Sequence, residues 1–192
     1  MNMMDPTRPS LLVRVKNRDD NEAWNEFFDL YSPLLYSYAR DRGLSHDDAE
    51  EIQSSCYESI VKNIVSFDYE SDKGGFRAWL RTMVNRRVID LFRRKKMANA
   101  ESSDLGNLKA GELSIDEIFE RNWRLHHLRF CVSQVRKRVK PETFEVFHLL
   151  TEEAASVESV CRQTNMNPDQ VYQIKSRVLK LVRDEMSNFD LD

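Results

Sequence analysis

The chain has 192 residues, of which 41% are hydrophobic and 32% are charged, and its formal net charge at pH 7 is −3. This composition excludes a disordered protein and fits one large globular domain or two small ones. Only five glycines and five prolines occur, which disfavours a turn-rich all-β fold and predicts an all-α fold.

Cysteine usage and hydropathy exclude further classes of protein. The three cysteines are far apart and form no C-x-x-C pair, so we expect free thiols in a reducing cytoplasm and neither a metal nor another cofactor. The N-terminus lacks a signal-peptide core, and no apolar run approaches the ~20 residues of a membrane span. Because no nucleotide-binding loop, nucleophile elbow or zinc-protease motif is present, we do not expect an enzyme.

Helices are predicted along almost the whole chain. Pro33 predicts a kink in the second helix, Gly43 ends that helix, and Ser45 is a suitable N-cap for the third. The predicted helices, in chain order, span 10–17, 21–41, 46–65, 76–96, 114–139, 142–151, 155–163 and 168–186.

Four acidic residues near the start of the third helix form the first candidate site: Asp47, Asp48, Glu50 and Glu51. The helix dipole favours Asp47 and Asp48 there without any chemistry. No His or Lys completes a catalytic set with Glu50 and Glu51. We therefore favour a surface for a basic protein partner over a metal or acid–base site.

Residues 66–75 are predicted to form a loop that ends in two glycines and carries the aromatic residues Phe67 and Tyr69. Aromatic rings beside cations such as Lys73 and Arg77 stack unpaired bases. The alternative is that the loop packs these rings on its own domain.

The helix over 76–96 concentrates positive charge. Its eight basic residues and one acid, Asp90, give +7 in a chain of net charge −3. Its apolar residues recur near i, i+3, i+4 and i+7, as in a core-facing helix. Ion pairs from Asp90 to Arg86 and Arg94 would neutralise two cations at most. The remaining excess favours nucleic-acid binding over a merely solvated surface.

Composition changes after the basic helix. Residues 97–113 are small and polar and contain glycine, which predicts a linker. Ser114 and Glu117 form a predicted capping box that opens the next helix.

The segment 155–186 is predicted to be a helix-turn-helix. Asn165 replaces the usual turn glycine and tolerates a left-handed conformation, and Asn167 with Gln170 forms a capping box around Pro168. The second helix buries apolar residues including Leu181, and its predicted outward face carries Asp169, Tyr172, Gln173, Ser176, Arg177 and Lys180. Amides, hydroxyls and cations in this order fit base edges and phosphates, although an ordinary αα-hairpin explains the same pattern.

The order of these parts resembles the bacterial RNA polymerase sigma factors, most closely the short extracytoplasmic-function (ECF) group. The resemblance covers roughly 10–96 and 120–186, and it is carried by DAEEI at 48–52 and GGFRAWLRTMVNRRVIDLFRR at 74–94. It implies a region 2-like domain over 1–96, the linker 97–113, and a region 4-like domain over 114–192.

The resemblance also implies partners and site residues. Docking on the clamp helices of the polymerase β′ subunit would involve Asp48, Glu51, Ser54, Ser55 and Glu58. Recognition and melting of the −10 element would involve Phe67, Tyr69, Arg77, Arg81, Asn85, Arg86, Arg87, Arg93 and Arg94. Recognition of the −35 element near the β flap would involve Asp169, Gln170, Tyr172, Gln173, Ser176, Arg177 and Lys180. Such factors act in the cytoplasm at the nucleoid and are often held by an anti-sigma partner.

The sequence departs from the family pattern in three features. Ser54 and Ser55 stand where relatives usually carry Gln-Glu, the Lys175–Arg177 triplet begins later than the usual V-K-S-R run, and Asn165 replaces the turn glycine. Two alternatives stay open: a two-domain regulator that binds duplex DNA without polymerase, and a helical adaptor that binds no nucleic acid.

Overall fold

The computed structural model describes residues 9–67, 75–98 and 114–187. These ranges contain α-helices and one 3-10 turn but no strand, which confirms the predicted all-α fold class. The elements are α1 Pro9–Arg14, α2 Asn21–Asp41, α3 His46–Asn63, the 3-10 turn Ile64–Ser66, α4 Gly75–Ala98, α5 Ile115–Arg138, α6 Pro141–Thr151, α7 Val157–Thr164 and α8 Pro168–Ser187. Residues 99–113 of the predicted linker lie outside the described ranges.

Local capping chemistry sets the ends of the helices in the first half of the chain. The Asp20 carboxylate accepts a hydrogen bond from the Ala23 amide at 2.9 Å and starts α2. Gly43 ends α2 with φ +88, a left-handed conformation that glycine adopts without steric cost. Ser45 and Asp48 form a reciprocal capping box at the start of α3. The predicted bounds of α2 and the predicted start of α3 are therefore confirmed, whereas α1 ends at Arg14 and α3 at Asn63, earlier than predicted. Pro33 lies within the continuous helix α2.

The chain divides into two compact units, and we call Pro9–His126 the first unit. Its core contains an aromatic cluster among buried aliphatic residues: the Phe27 ring lies 4.6 Å from Tyr31 and 5.8 Å from Phe76. Trp123 of α5 packs 5.9 Å from Tyr31. The first half of α5 is thus part of this core. The division between units lies between His126 and His127, later in the chain than the predicted start of the second domain at 114.

We call His127–Asp192 the second unit, and the structure describes residues 127–187 of it. Helices α6, α7 and α8 surround a core of Val146, Leu149, Val160 and Val171. Leu181, predicted to be buried, is 36% exposed, because the buried stripe of α8 instead follows Val171, Val178, Val182 and Glu185. Buried Glu185 accepts a hydrogen bond from Arg138 at 2.6 Å, which joins the ends of α8 and α5.

Within the described ranges, no helix is both long and apolar enough to cross a bilayer.

Candidate nucleic-acid interface

Helix α4 is the scaffold of the candidate interface. Its buried stripe follows the predicted helical spacing and consists of Phe76, Leu80, Val84, Val88 and Leu91, with Met83 at its edge. This stripe anchors α4 in the first unit and turns several of its basic residues away from the core. The sequence pattern therefore predicted the orientation of the helix.

The aromatic residues at the start of α4 form a cluster. The Phe67 ring lies 5.2 Å from Trp79 and 5.8 Å from Phe76, and Lys16 Nζ donates a hydrogen bond of 2.7 Å to the Phe67 carbonyl. Phe67 is thus packed on its own domain, as the alternative interpretation of the loop expected. Tyr69 lies outside the described residues. A role for either ring in base stacking stays a prediction.

Two predicted DNA-binding cations are paired with the first half of α5. Arg77 forms an ion pair with Glu120, and its guanidinium lies 5.6 Å from the centre of the Trp123 ring. Arg81 Nη1 lies 3.6 Å from Asp116 Oδ1. Only 16% of the Arg77 side chain is exposed. In this conformation α5 therefore forms ion pairs with two cations for which the family resemblance implied DNA binding.

The Asn85 side chain is hydrogen-bonded to residues at the end of α2. Its side-chain oxygen accepts hydrogen bonds from Arg42 Nη1 at 2.7 Å and from the Tyr38 hydroxyl at 3.3 Å. Arg42 is only 8% exposed and also donates to the Tyr38 hydroxyl at 2.7 Å. Burial raises the pKa of Tyr38, so the hydroxyl stays protonated. Sequence reasoning missed Arg42; the available signal was its position one helical turn after Tyr38 on a buried helix face.

The adjacent Arg86 and Arg87 have different roles in the structure. Arg86 is exposed and makes no ion pair with any described residue. Arg87 is half-buried and donates hydrogen bonds to the Ser59 hydroxyl and to the Met83 carbonyl at 3.3 Å. Arg87 therefore joins α4 to α3, and of these two arginines only Arg86 is fully available to a ligand.

The end of α4 is tied to the start of α3. Arg94 lies 2.8 Å from Glu51, and Lys95 lies 2.6 Å from Asp48. The expected ion pairs of Asp90 with Arg86 and Arg94 are not formed. Asp90 pairs with Arg93 at 3.1 Å instead, because Arg94 faces α3. Arg93 and Arg94 nevertheless remain largely exposed.

The predicted docking residues on α3 divide into structural and exposed groups. Burial opposes ionisation of Asp48, but hydrogen bonds from Lys95 and Ser45 outweigh it and lower its pKa. The Ser55 hydroxyl donates to the Ile52 carbonyl at 3.1 Å. Asp48 and Ser55 are therefore partly used by the fold itself.

The exposed docking residues border a surface groove. Ser54 and Glu58 line it together with Phe28, Tyr57 and Val61. Phe28 is 52% exposed and Val61 is 39% exposed, so the groove presents apolar surface beside the acidic residues. Such a mixture is suited to protein contact. Glu51 is also exposed, although Arg94 pairs with it.

In the second unit, α7 and α8 are joined by the turn 165–167. Asn165 adopts φ 56 and ψ 32, the left-handed conformation predicted from its sequence position. The Asn167 and Gln170 side chains each accept a 2.9 Å hydrogen bond from the other residue's backbone amide, as the predicted capping box requires. Gln170 is thus engaged by the fold, whereas the remaining predicted residues are exposed: Asp169, Tyr172, Gln173, Ser176, Arg177 and Lys180. Their role in reading DNA stays a prediction.

The described residues contain no group of three or more His, Cys, Asp or Glu side chains that could hold a metal ion. In this structure Glu51 forms an ion pair with Arg94, and Asp48 forms an ion pair with Lys95 and caps α3.

Comparisons with known proteins find similarity in the part of the chain that contains α4. Residues 27–97, which include most of α2, all of α3 and almost all of α4, match the Sigma-70 region 2 family. The chain is 35% identical over 94 residues to proteins named ECF RNA polymerase sigma factor SigK from Mycobacterium bovis (strain BCG / Pasteur 1173P2) and Mycobacterium tuberculosis (strain ATCC 25618 / H37Rv), covering 47% of this chain and 46% of each relative. The SigK of Mycobacterium ulcerans (strain Agy99) is 28% identical over 99 residues, or 50% of both chains.

The matched region thus spans about half the length of the curated relatives. The SigK matches confirm the predicted resemblance to ECF sigma factors over about half of this chain, and the family match over 27–97 agrees with the region 2 part of that resemblance.

Proposed function

We propose that this chain, which resembles ECF sigma factors and matches the Sigma-70 region 2 family over residues 27–97, is a promoter-specificity subunit of RNA polymerase. It would bind the core enzyme and direct initiation by recognising and melting promoter DNA. The observation that carries the proposal is the coincidence of the family match with α4, a helix that is buried along one side and strongly basic along the other.

The first unit would contact the −10 element. Arg86, Arg93 and Arg94 are exposed cations suited to phosphates, and Asn85 is the amide placed among them. Duplex opening costs a few kcal/mol for each base taken out of the stack, which contacts to the unstacked strand would offset. Bond formation would belong to the polymerase, so the proposal requires no catalytic residue in this chain.

The second unit would contact the −35 element through α8, near the polymerase β flap. Its exposed Gln173 and Ser176 carry groups that hydrogen-bond base edges, while Arg177 and Lys180 are suited to phosphates. We propose that the domains over 1–96 and 114–192, joined by the linker 97–113, carry these two functions. One change is made: residues 115–126 belong to the first unit in the described conformation.

The exposed part of α3 would dock on the β′ clamp helices. Glu51, Ser54 and Glu58 present polar groups beside the apolar groove at Phe28 and Val61, which suits a basic amphipathic partner. Asp48 would support this surface by holding the start of α3. Such a subunit would work in the cytoplasm at the nucleoid, and the family resemblance implies an anti-sigma factor as a further partner.

Transcription with core polymerase tests the proposal directly. A library of upstream fragments from the source genome is transcribed by core enzyme with and without the full chain, and the new starts are sequenced. New starts that share −35 and −10 sequences are expected. If no new start appears with core enzyme and DNA of verified activity, the proposed function is wrong.

Two pairs of variants then separate the alternatives. Glu51→Lys should weaken association with core polymerase, whereas Glu22→Lys, which makes the same charge change on an exposed residue outside α3, should have a smaller effect. Arg86→Glu should abolish promoter opening, whereas Arg18→Glu, an exposed reversal outside α4, should not. Retained polymerase binding by Glu51→Lys would favour the duplex-binding regulator, and full activity of Arg86→Glu would favour the adaptor.

A further inference from the structure

We propose that Arg42 is a positioning residue that makes Asn85 a one-way hydrogen-bond donor toward DNA and thereby selects bases that present an acceptor. The proposal rests on the proposed function and deepens it, because it assigns a chemical preference to one contact. No polymerase or DNA contact is needed to fix this orientation, since it is built into the free chain.

The geometry behind Asn85 consists of converging donors. Arg42 Nη1 lies 2.7 Å from both the Asn85 side-chain oxygen and the Tyr38 hydroxyl, and that hydroxyl lies 3.3 Å from the same Asn85 oxygen. The Arg42 guanidinium also lies 5.6 Å from the centre of the Tyr38 ring. Tyr38 and Arg42 are 4 positions apart and Arg42 and Asn85 are 43 positions apart, yet the three residues form one network.

The chemistry of these groups allows only one amide orientation. A guanidinium has five N–H donors and no acceptor, so only the oxygen of Asn85 can face it. The protonated Tyr38 hydroxyl donates to the same oxygen. Rotating the amide by half a turn would place its NH2 group against the guanidinium and lose the 2.7 Å hydrogen bond from Arg42. The orientation therefore follows from donor and acceptor types as well as from coordinates.

The outward group of Asn85 is its NH2. This nitrogen makes no hydrogen bond with any described residue, and it is absent from the buried polar atoms that lack a partner, so it reaches the surface. Asn85 stands immediately before exposed Arg86 on α4. The position offers two N–H donors to a ligand beside a cation suited to phosphate.

The charge of Arg42 reinforces this polarity. Arg42 is only 8% exposed and has no carboxylate partner among the described residues. A buried cation without a directly bonded carboxylate is costly to retain, and here its hydrogen bonds go to the oxygens of Asn85 and Tyr38. Hydrogen bonding of the Asn85 oxygen to this charge polarises the amide and strengthens its outward N–H donors.

A fixed donor discriminates between bases that differ in one exocyclic group. Thymine presents the O4 acceptor where cytosine presents an N4 amino donor, and guanine presents O6 where adenine presents an N6 amino donor. On the major-groove edge Asn85 would accept thymine and exclude cytosine at the promoter position it contacts, whereas guanine and adenine both keep the N7 acceptor and would differ only at the exocyclic group. An amide free to rotate would accept either member of each pair.

The test measures base preference with the whole chain bound to core polymerase. Promoter fragments carrying all four bases at each −10 position compete in one transcription reaction, and ratios of starts are compared for wild type, Asn85→Asp and Arg42→Leu. Asn85→Asp keeps an oxygen toward Arg42 but replaces the outward donor by an acceptor. Arg40→Leu removes a neighbouring arginine that bonds the Leu44 carbonyl and serves as the matched control.

The proposal expects one −10 position at which the wild-type ratio of thymine to cytosine is about tenfold and reverses in Asn85→Asp. At that position Arg42→Leu should bring the ratio close to one, while Arg40→Leu should retain it. An unchanged order of bases in Asn85→Asp at every position overturns the proposal. Ratios cancel any general loss of DNA affinity from the added charge.

Folding is checked by circular dichroism and thermal denaturation of each variant. If Arg42→Leu does not fold, the reversal or non-reversal by Asn85→Asp decides the matter. Wild-type chain that starts no transcription overturns the proposed function and this inference together, whereas promoter-specific transcription with unchanged base order in Asn85→Asp overturns the inference alone.

Discussion

Lys95 Nζ lies 2.6 Å from Asp48 Oδ2, so the last turns of the basic helix α4 are held to the first turn of the acidic helix α3. Asp48 also caps α3 through Ser45. One carboxylate therefore supports both the candidate DNA-binding helix and the candidate docking helix, and its ionisation should affect the stability of the first unit.

We predict that Asp48 contributes to stability in a pH-dependent way. Its pKa is lowered in the folded chain, so the unfolded chain binds more protons at acid pH. The contribution should be complete above the ordinary carboxyl pKa of about 4 and disappear as the pH falls through the lower folded value. Asp48→Asn should therefore lower the free energy of unfolding by about 1–2 kcal/mol at pH 7 and by less at pH 3, measured by urea denaturation. An equal loss at both pH values would contradict this assignment.

We predict that Asp116 and Glu120 mask part of the DNA-binding surface in the free chain. The double variant Asp116→Asn/Glu120→Gln releases Arg81 and Arg77 from their ion pairs with α5. Its affinity for single-stranded promoter oligonucleotides should rise, and the slope of log K against log salt should become more negative by up to about 1.4 for two added phosphate contacts. Fluorescence anisotropy at several salt concentrations measures both quantities.

A matched control separates release from simple charge change. Asp19→Asn/Glu22→Gln raises the net charge by the same amount at the start of α2, where Glu22 pairs with Arg14 rather than with α4. Only a general increase of positive potential is expected from it, without the full change of slope. Identical slopes for the two double variants would mean that α5 does not restrict Arg77 and Arg81.

Local chemistry explains why helix limits were predictable from the sequence. The capping boxes of Ser45 and Ser114 involve residues three positions apart, so their partners are fixed by chain geometry before any tertiary packing. The buried stripe of α4 was equally predictable from its helical period. The pairing of Asn85 with Arg42 was not, because it joins residues 43 positions apart and depends on how α2 packs against α4.

The candidate site likewise combines a local pattern that the sequence shows with tertiary contacts that it does not show. Sequence spacing identified a basic helix but gave each arginine the same role, since charge alone does not show what a side chain contacts. Packing separates them: Arg77 meets α5, Arg87 meets α3, and Arg86 stays exposed. The match of residues 27–97 to the Sigma-70 region 2 family likewise includes most of α4 without assigning these individual contacts.

We predict that alanine at Arg87 mainly lowers stability, whereas alanine at Arg86 mainly lowers DNA affinity. Arg87→Ala removes hydrogen bonds to the Ser59 hydroxyl and the Met83 carbonyl and should lower the free energy of unfolding by about 1–2 kcal/mol. Arg86→Ala changes an exposed residue and should stay within about 0.5 kcal/mol of wild type. In DNA binding, Arg86→Ala should give the larger loss of affinity once both proteins are measured below their melting temperatures. A more stable Arg87→Ala would contradict the role assigned to Arg87.

We predict that two left-handed residues beside α7 respond differently to substitution. Ala154 and Asn165 adopt φ 50 and φ 56 respectively. A left-handed conformation costs a residue with a Cβ atom roughly 1–2 kcal/mol, while asparagine tolerates it better and glycine adopts it freely. Ala154→Gly should therefore raise the free energy of unfolding by up to about 1 kcal/mol, and Asn165→Ala should lower it by about 1 kcal/mol.

Asn165→Gly is the control for the second position, and it should leave stability near wild type because glycine accepts the same backbone angles. The comparison matters for function because Asn165 ends α7 and precedes the capping box that starts α8. If Asn165→Ala weakens −35-dependent transcription while Asn165→Gly retains it, the left-handed turn sets the direction of the exposed face of α8. Equal stability of the alanine and glycine variants, measured by urea denaturation, would show that the turn relaxes to a different conformation.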